Sequence, residues 1–156
     1  MTRVGIGFKL ISIMLITSAL AGIVSRLFQG IFSIPFISAD LLRICGCILL
    51  FLGIVNQIAS GRVPATAFKK GELVTNGIFS FVRHPMYAGW IFLFSPGFAL
   101  LFQSWLMLFT MLVGYVMFKF FIRAEDTYLT KKFGEEYLNY RSTVDELFPI
   151  KKITPH

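Results

Sequence analysis

The chain has 156 residues, of which 56% are hydrophobic and 15% charged, with a net charge of +7. Soluble domains carry about 25% charged residues, so this composition excludes an ordinary soluble core and places most of the chain in lipid. Nucleic acid is excluded as a partner because no nucleic-acid motif accompanies the basic balance. Instead Lys and Arg flank the apolar runs, as they do on the cytoplasmic side of a membrane.

The first apolar run, Phe8 to Phe28, is long enough to cross a hydrocarbon core of about 30 Å. Arg3, Lys9 and the stretch Ala19-Leu20-Ala21 would also suit a signal peptide, but the expectation is a retained span. Gln29 to Asp40 forms an apolar connection containing Gly30 and Pro35, expected to lie in the interface or on the bundle. A second span follows from Leu41 to Ala59, with Arg43 near its start and Asn56-Gln57 near its end. Cys45 and Cys47 lie within it on different sides of a helix. They are too few for a zinc site and read as packing residues.

Ser60 to His84 is the first long polar stretch, and its Gly and Pro residues predict loop with short helical pieces. Pro85 to Phe118 then contains no Asp, Glu, Lys or Arg. One helix over that block would be about 51 Å long, too long for one crossing. The block therefore predicts a hairpin of two spans turning near Gln103-Ser104, with Pro96-Gly97 kinking the first. From Arg123 onward the chain is polar and basic. Ile122, Leu129, Phe133, Tyr137 and Tyr140 recur at helical spacing, which predicts an amphipathic C-terminal helix ended by Pro149 and a loose tail.

The expected fold is all-α and integral to the membrane, with about four transmembrane helices, a helical hairpin and a cytoplasmic C-terminal helix. Residues 1–60 supply N-terminal spans and residues 61–156 the core of a single structural unit. The hairpin turn carries no Lys or Arg, whereas Arg62 to Arg83 and Arg123 to Lys152 carry most of them. These two segments and the N-terminus are therefore assigned to the cytoplasmic side. Arg26 and Arg43 fall on the other side as exceptions.

Two clusters could carry chemistry. Arg83-His84-Pro85-Met86-Tyr87 stands where a polar loop enters a span. Pro85 suits the first helical turn, and Arg83 and His84 add donors beside the helix N-terminus, a site for an anion or a ligand carboxylate. The same residues would equally make an interface anchor. The second cluster is Arg123-Ala124-Glu125-Asp126. Glu125 shares a face with Leu129 and Phe133, and an inward acid at the membrane edge is costly. It could hold ribose hydroxyls or an ammonium group, or pair with Arg123, Lys119 or Arg83. Lys119 near the end of the last span is expected to snorkel. Asn56 and Gln57 could line a pocket or bond helix ends. There is no Gly-x-Gly-x-x-Gly, P-loop or Gly-x-Ser-x-Gly motif, and two His residues make a His-based metal centre unexpected.

Four blocks appear in order: Leu73-Val74-Thr75-Asn76-Gly77-Ile78-Phe79, Arg83-His84-Pro85-Met86-Tyr87-Ala88-Gly89-Trp90, Glu125-Asp126, and Phe133-Gly134-Glu135-Glu136-Tyr137-Leu138-Asn139-Tyr140, closing on Phe148-Pro149. Their order and spacing resemble the isoprenylcysteine carboxyl methyltransferase family and the related phospholipid methyltransferases. The resemblance implies that the last two spans and the C-terminal segment enclose S-adenosyl-L-methionine, entering from the cytoplasm. It implies cofactor contacts at Leu73, Val74, Phe79, His84, Pro85, Tyr87 and Glu125. A lipid-like or prenylcysteine-type acceptor would approach from within the bilayer.

The sequence departs from the family at three positions. Gly71 stands where a His is common, Phe79 where a Tyr is common, and Asp126 replaces the second Glu of a pair. The arginine assigned to a substrate carboxylate in eukaryotic members has Phe121 at its ungapped position, leaving Arg83, Lys119 or Arg123 as substrate contacts. No general base is assigned, nor any metal. A carboxylate or thiolate acceptor would need no base, since methyl transfer from a sulfonium chiefly requires positioning. Two other readings remain at this point: a nicotinamide-dependent membrane lipid reductase, and a non-enzymatic membrane scaffold. The lack of an organelle signal points to a prokaryotic plasma membrane.

Overall fold

The computed structural model describes residues 3–149; side chains of 3–6, 62–66 and 68–70 lie outside the description. The Arg3 side chain and the tail after Pro149 therefore fall outside it. Helix α1 runs Arg3–Leu27, a short α2 Gln29–Phe32 and a long α3 Ala39–Lys70. A 3₁₀ turn at Gly77–Ser80 leads to α4 (Pro85–Gly89), a π-helical turn (Trp90–Phe94) and α5 (Ser95–Leu101). A second 3₁₀ turn (Trp105–Leu108) opens α6 (Phe109–Phe133), and α7 (Glu135–Thr143) follows. No strand occurs among the described residues. In lipid this is the expected solution, because a helix satisfies its own backbone hydrogen bonds.

Three segments are long and apolar enough to cross a membrane: Gly7–Leu27, Ala39–Gly61 and Trp105–Phe133. A shorter apolar helix, Pro85–Leu101, is the fourth, and at 1.5 Å per residue its 17 residues span about 25 Å. The fold is thus the all-α integral membrane architecture that the composition implies. Exposed Leu, Ile and Phe side chains cover α1 and α3, facing the hydrocarbon.

The hairpin turns where expected. Gln103 adopts φ 54°, and the amides of Gln103 and Ser104 donate to Leu100 and Ala99 carbonyls. The break expected at Pro96-Gly97 takes the form of the π turn just before it. Pro96 supplies no N–H, and the helix changes register upstream. Ser95 donates both its amide and its hydroxyl to the Trp90 carbonyl.

One expectation fails. Ser60 to Lys70 is helix, so the loop begins only at Gly71. A helix already nucleated in the membrane adds one hydrogen bond per residue fixed, and here propagation carries α3 through Gly61 and past Pro64, which itself donates none. The C-terminal helix is also divided. Gly134, at φ +56°, takes a backbone conformation that L-residues avoid, and so α7 turns back from α6.

Helix α3 packs most extensively on α5 and also on α4, while α1 packs on α6. At the α3–α5 crossing a Cβ on Gly46 would come within 2.8 Å of the Leu101 amide nitrogen and 2.9 Å of the Gly97 carbonyl oxygen. Both are backbone atoms that cannot move aside, so glycine sets this close approach. Cys45 is half-buried, Cys47 is exposed, and neither forms a disulfide. The chain alternates direction, so the start of α1, the 71–84 loop and the C-terminal segment gather at one end. The α1–α3 connection and hairpin tip occupy the other.

Candidate functional site

At the first end, the local sequence places His84 and Tyr87 around the start of α4, with Pro85 in the first turn. Helix α6 brings Phe118, Ile122 and Glu125 to the same place, one helical repeat apart. All are buried. The Tyr87 hydroxyl donates to Glu125 Oε2 at 3.0 Å, and His84 Nδ1 lies 3.8 Å from Glu125 Oε1. The rings of His84 and Tyr87 stack 5.7 Å apart, and Phe118 meets them at 5.7 Å and 5.5 Å. A carboxylate is thus held at the edge of an aromatic cluster, almost out of water. Burial of this kind costs several kcal/mol unless hydrogen bonds or charge compensate it.

The first helix completes the wall. Leu10 and Met14 are fully buried in the core cluster of Tyr87, Ile91, Phe118, Ile122 and Leu147. Gly7 lies so close to Tyr87 that an added Cβ would stand 3.5 Å from its hydroxyl. Gly7, Leu10 and Met14 repeat at i, i+3 and i+7, a buried face that the apolar run from Phe8 to Phe28 does not single out.

Beside Glu125, Asp126 turns toward the loop and α7. Arg83 Nη1 donates to Asp126 Oδ1 at 3.2 Å, and Arg141 Nη2 lies 3.6 Å from Oδ2. The Tyr137 hydroxyl also donates to Asp126. Burial is the main cause that pushes the Tyr137 phenol well above its usual range; the hydrogen bond and charge of Asp126 add to it, against the opposing Arg83. Arg83 Nε donates to the Val144 carbonyl at 3.0 Å, and Nη2 lies 3.5 Å from Glu146.

The backbone continues that lock. The amides of Arg83 and His84 donate to the Asp145 and Glu146 carbonyls at 2.8 Å and 3.0 Å. Residues 144–147 are therefore strapped along residues 82–84, and Leu147 is pressed onto the Tyr87 cluster. Phe148 reaches further, 4.2 Å from the Phe92 ring centroid.

The remaining predicted residues spread around this centre. Phe79 is buried, and its carbonyl accepts from the Tyr140 hydroxyl at 2.6 Å. Leu73 packs on the second core cluster of Leu129, Tyr137 and Tyr140, and Val74 is half-buried nearby in sequence. The structure thus joins His84, Pro85, Tyr87 and Glu125 directly, and sets Leu73 and Phe79 one layer outward against α7. Arg83 is committed to Asp126, Tyr137 and the strap. Lys119 binds Glu146 of the strap, and Arg123 is exposed. Glu125 thus faces Tyr87 and His84, while Arg83 pairs with the neighbouring acid. Asn56 and Gln57 donate to the Pro85 and Met86 carbonyls at 2.8 Å and 3.0 Å, fixing the turn that carries the site. No group of three metal-ligating side chains occurs among the described residues.

Fold and site together define an α-helical integral membrane protein whose buried acid and aromatic cluster lie where the loop, last span and C-terminal strap meet. Residues 34–136 match the phospholipid methyltransferase family, and the chain belongs to that family. It is similar to the protein-S-isoprenylcysteine O-methyltransferase of Schizosaccharomyces pombe, 38% identical over 98 residues, covering 61% of this chain and 40% of the relative. The Saccharomyces cerevisiae protein of the same name is 31% identical over 120 residues, 69% and 49% of the two chains. That of Xenopus laevis is 40% identical over 85 residues, 51% and 28%. The chain spans less than half the length of these relatives.

Proposed function

We propose that this protein is a membrane methyltransferase that uses S-adenosyl-L-methionine to methylate a lipid-like or prenylcysteine-type acceptor. The observation that carries this reading is Glu125, buried against Tyr87 and His84 at the mouth of the strap. The donor set fits such a cofactor. A buried carboxylate suits ribose hydroxyls or an ammonium group, and the rings of Tyr87 and Phe118 suit a sulfonium. When bound, the cofactor supplies an activated methyl group.

In this reading Glu125, His84, Pro85 and Tyr87 hold and orient the cofactor. Leu73, Val74 and Phe79 line its outer side. The strap excludes water from the centre, and Lys119 or Arg123 at the membrane edge draws an acceptor carboxylate. The names of the relatives, O-methyltransferases acting on S-isoprenylcysteine, support an apolar acceptor with an oxygen nucleophile, and a carboxylate needs no base. Lys and Arg around the site end support a cytoplasmic placement. The family match favours neither a nicotinamide reductase nor a scaffold.

Calorimetric titration of S-adenosylhomocysteine into the detergent-purified protein tests the reading. Wild type is expected to bind saturably, and Glu125→Ala to lose at least tenfold in affinity, a charged hydrogen bond being worth about 1.5–3 kcal/mol. A folded wild type that fails to bind would overturn it.

A further inference from the structure

The opposite end of the bundle carries a feature that methyl transfer does not use. A cavity of about 370 Å³ opens between the end of α1, α2, the start of α3 and the hairpin tip. Arg26 and Arg43 both line it, and these are the two arginines that break the positive-inside pattern. Arg43 pairs with Asp40 at 3.1 Å, with both side chains exposed, an arrangement worth at most about 1 kcal/mol. Among the described residues Arg26 has no ion-pair partner, so the cavity keeps a net positive charge.

Its other walls are suited to a particular anion. Gln29, Ser33 and Gln103 supply polar side chains, while Phe32, Leu101 and Phe102 supply apolar surface. The flanks are lipid-facing: Leu27 is 72% exposed and Phe102 48%. The buried Ser25 and Ser104 hydroxyls, which also line the cavity, pair with each other at 2.6 Å. A free phosphate would have no use for the apolar shoulder, and an acyl chain alone none for two guanidinium groups. Arg suits phosphate recognition through its fork of donors.

We propose that this cavity binds the headgroup of an anionic phospholipid of the far leaflet, with Arg26 and Arg43 on the phosphodiester and the acyl chains along α1 and the hairpin tip. The site is separate from the methyl-transfer centre. From Tyr87 to Leu101 the chain runs 14 residues through α4, the π turn and α5, about 21 Å along the helix. The bound lipid is therefore a resident of the fold rather than the acceptor.

Trp105 reports on the cavity, because its indole nitrogen donates to the Ile31 carbonyl at 3.1 Å and its ring lies 5.1 Å from that of Phe32. Trp90→Phe leaves Trp105 as the sole tryptophan. Brominated phosphatidylglycerol and brominated phosphatidylcholine are titrated against this variant in detergent. Anionic lipid is expected to quench at roughly tenfold lower concentration, since each basic residue adds appreciably to the attraction. Arg26→Gln/Arg43→Gln in the same background should erase that preference. Salt of about 1 M, where the Debye length falls to about 3 Å, should erase it without any further mutation, so the proposal stays testable even if the double variant is unfolded. Equal quenching by both lipids, or a preference that survives the double substitution or the salt, overturns the proposal. Displacement of the anionic lipid by inorganic phosphate at matching concentration would make this a free-anion site and overturn it too.

Discussion

The two ends of this bundle handle charge in opposite ways. At the site end Arg83, Asp126 and Tyr137 are drawn inside and bonded to one another, with half-buried Glu146 beside Arg83. At the far end Arg26 and Arg43 stay at the surface around an open cavity, and the buried side-chain hydrogen bonds there among the described residues come from neutral hydroxyls, the Ser25–Ser104 pair and Thr110. The difference teaches where rigidity is invested. A buried ion pair contributes little net stability but penalises the loss of either partner heavily, so it specifies one arrangement of loop, helix and strap. The far end has no such constraint and can exchange what fills it.

The largest expected effect tests that contrast directly. Arg83→Ala would leave Asp126 with part of its compensation gone and the strap without that side chain's bonds to Val144 and Glu146. A loss of about 3–5 kcal/mol in unfolding free energy is expected, read as a fall in thermal midpoint in detergent. Arg26→Ala, at the exposed end, should cost less than about 0.5 kcal/mol. Equal losses would erase the distinction between the ends. Next in size is Leu147→Ala, which empties the contact that seats the strap on Tyr87. About 2–4 kcal/mol is expected for such a truncation, with weaker S-adenosylhomocysteine binding if the strap also shields the site. A loss below about 1 kcal/mol would mean that the polar bonds from Arg83, His84 and Lys119 hold the strap without it. At the far end Ser25→Ala removes one hydroxyl of the buried pair and should cost about 1 kcal/mol, without changing ligand affinity at the other end.

Much of the frame was legible in the sequence because membranes impose simple rules. The uncharged block from Pro85 to Phe118 required a hairpin, and Gln103-Ser104 was its natural tip. Glu125 on an apolar stripe announced an inward acid. Less was legible where tertiary packing decides. Asp126 was read as half of a pair, yet its partners Arg83 and Tyr137 lie 43 and 11 residues away. Leu10 and Met14 looked like any lipid-facing residues of a first span, and only the Gly7–Leu10–Met14 repeat hinted at a buried face. The extension of α3 to Lys70 was hidden by Gly61 and Pro64, whose local preferences a pre-formed helix overrides.

The smallest effect at neutral pH concerns Tyr137, and it separates a hydrogen-bond donor from a mere space-filler. Its hydroxyl donates to Asp126, and burial followed by that carboxylate raises its pKa above the ordinary 10.0. A group whose folded pKa is raised stabilises the fold fully below its unfolded pKa and loses that contribution as pH climbs. The Tyr137 contribution should therefore be constant through neutral pH and begin to fall above about pH 10. Tyr137→Phe keeps the ring and removes the ionisable proton. At neutral pH the variant loses the bonds to Asp126 and Arg83 but leaves those two paired with each other, so it should be less stable by about 0.5–1.5 kcal/mol, and the gap should narrow as alkaline pH ionises the phenol of the unfolded chain. Unfolding midpoints of both proteins between neutral pH and the alkaline limit of the detergent measure it. A gap that stays constant across that range would show that the phenol is not the proton holding Asp126 in place, and that its arginine partners Arg83 and Arg141 keep the acid at the site end.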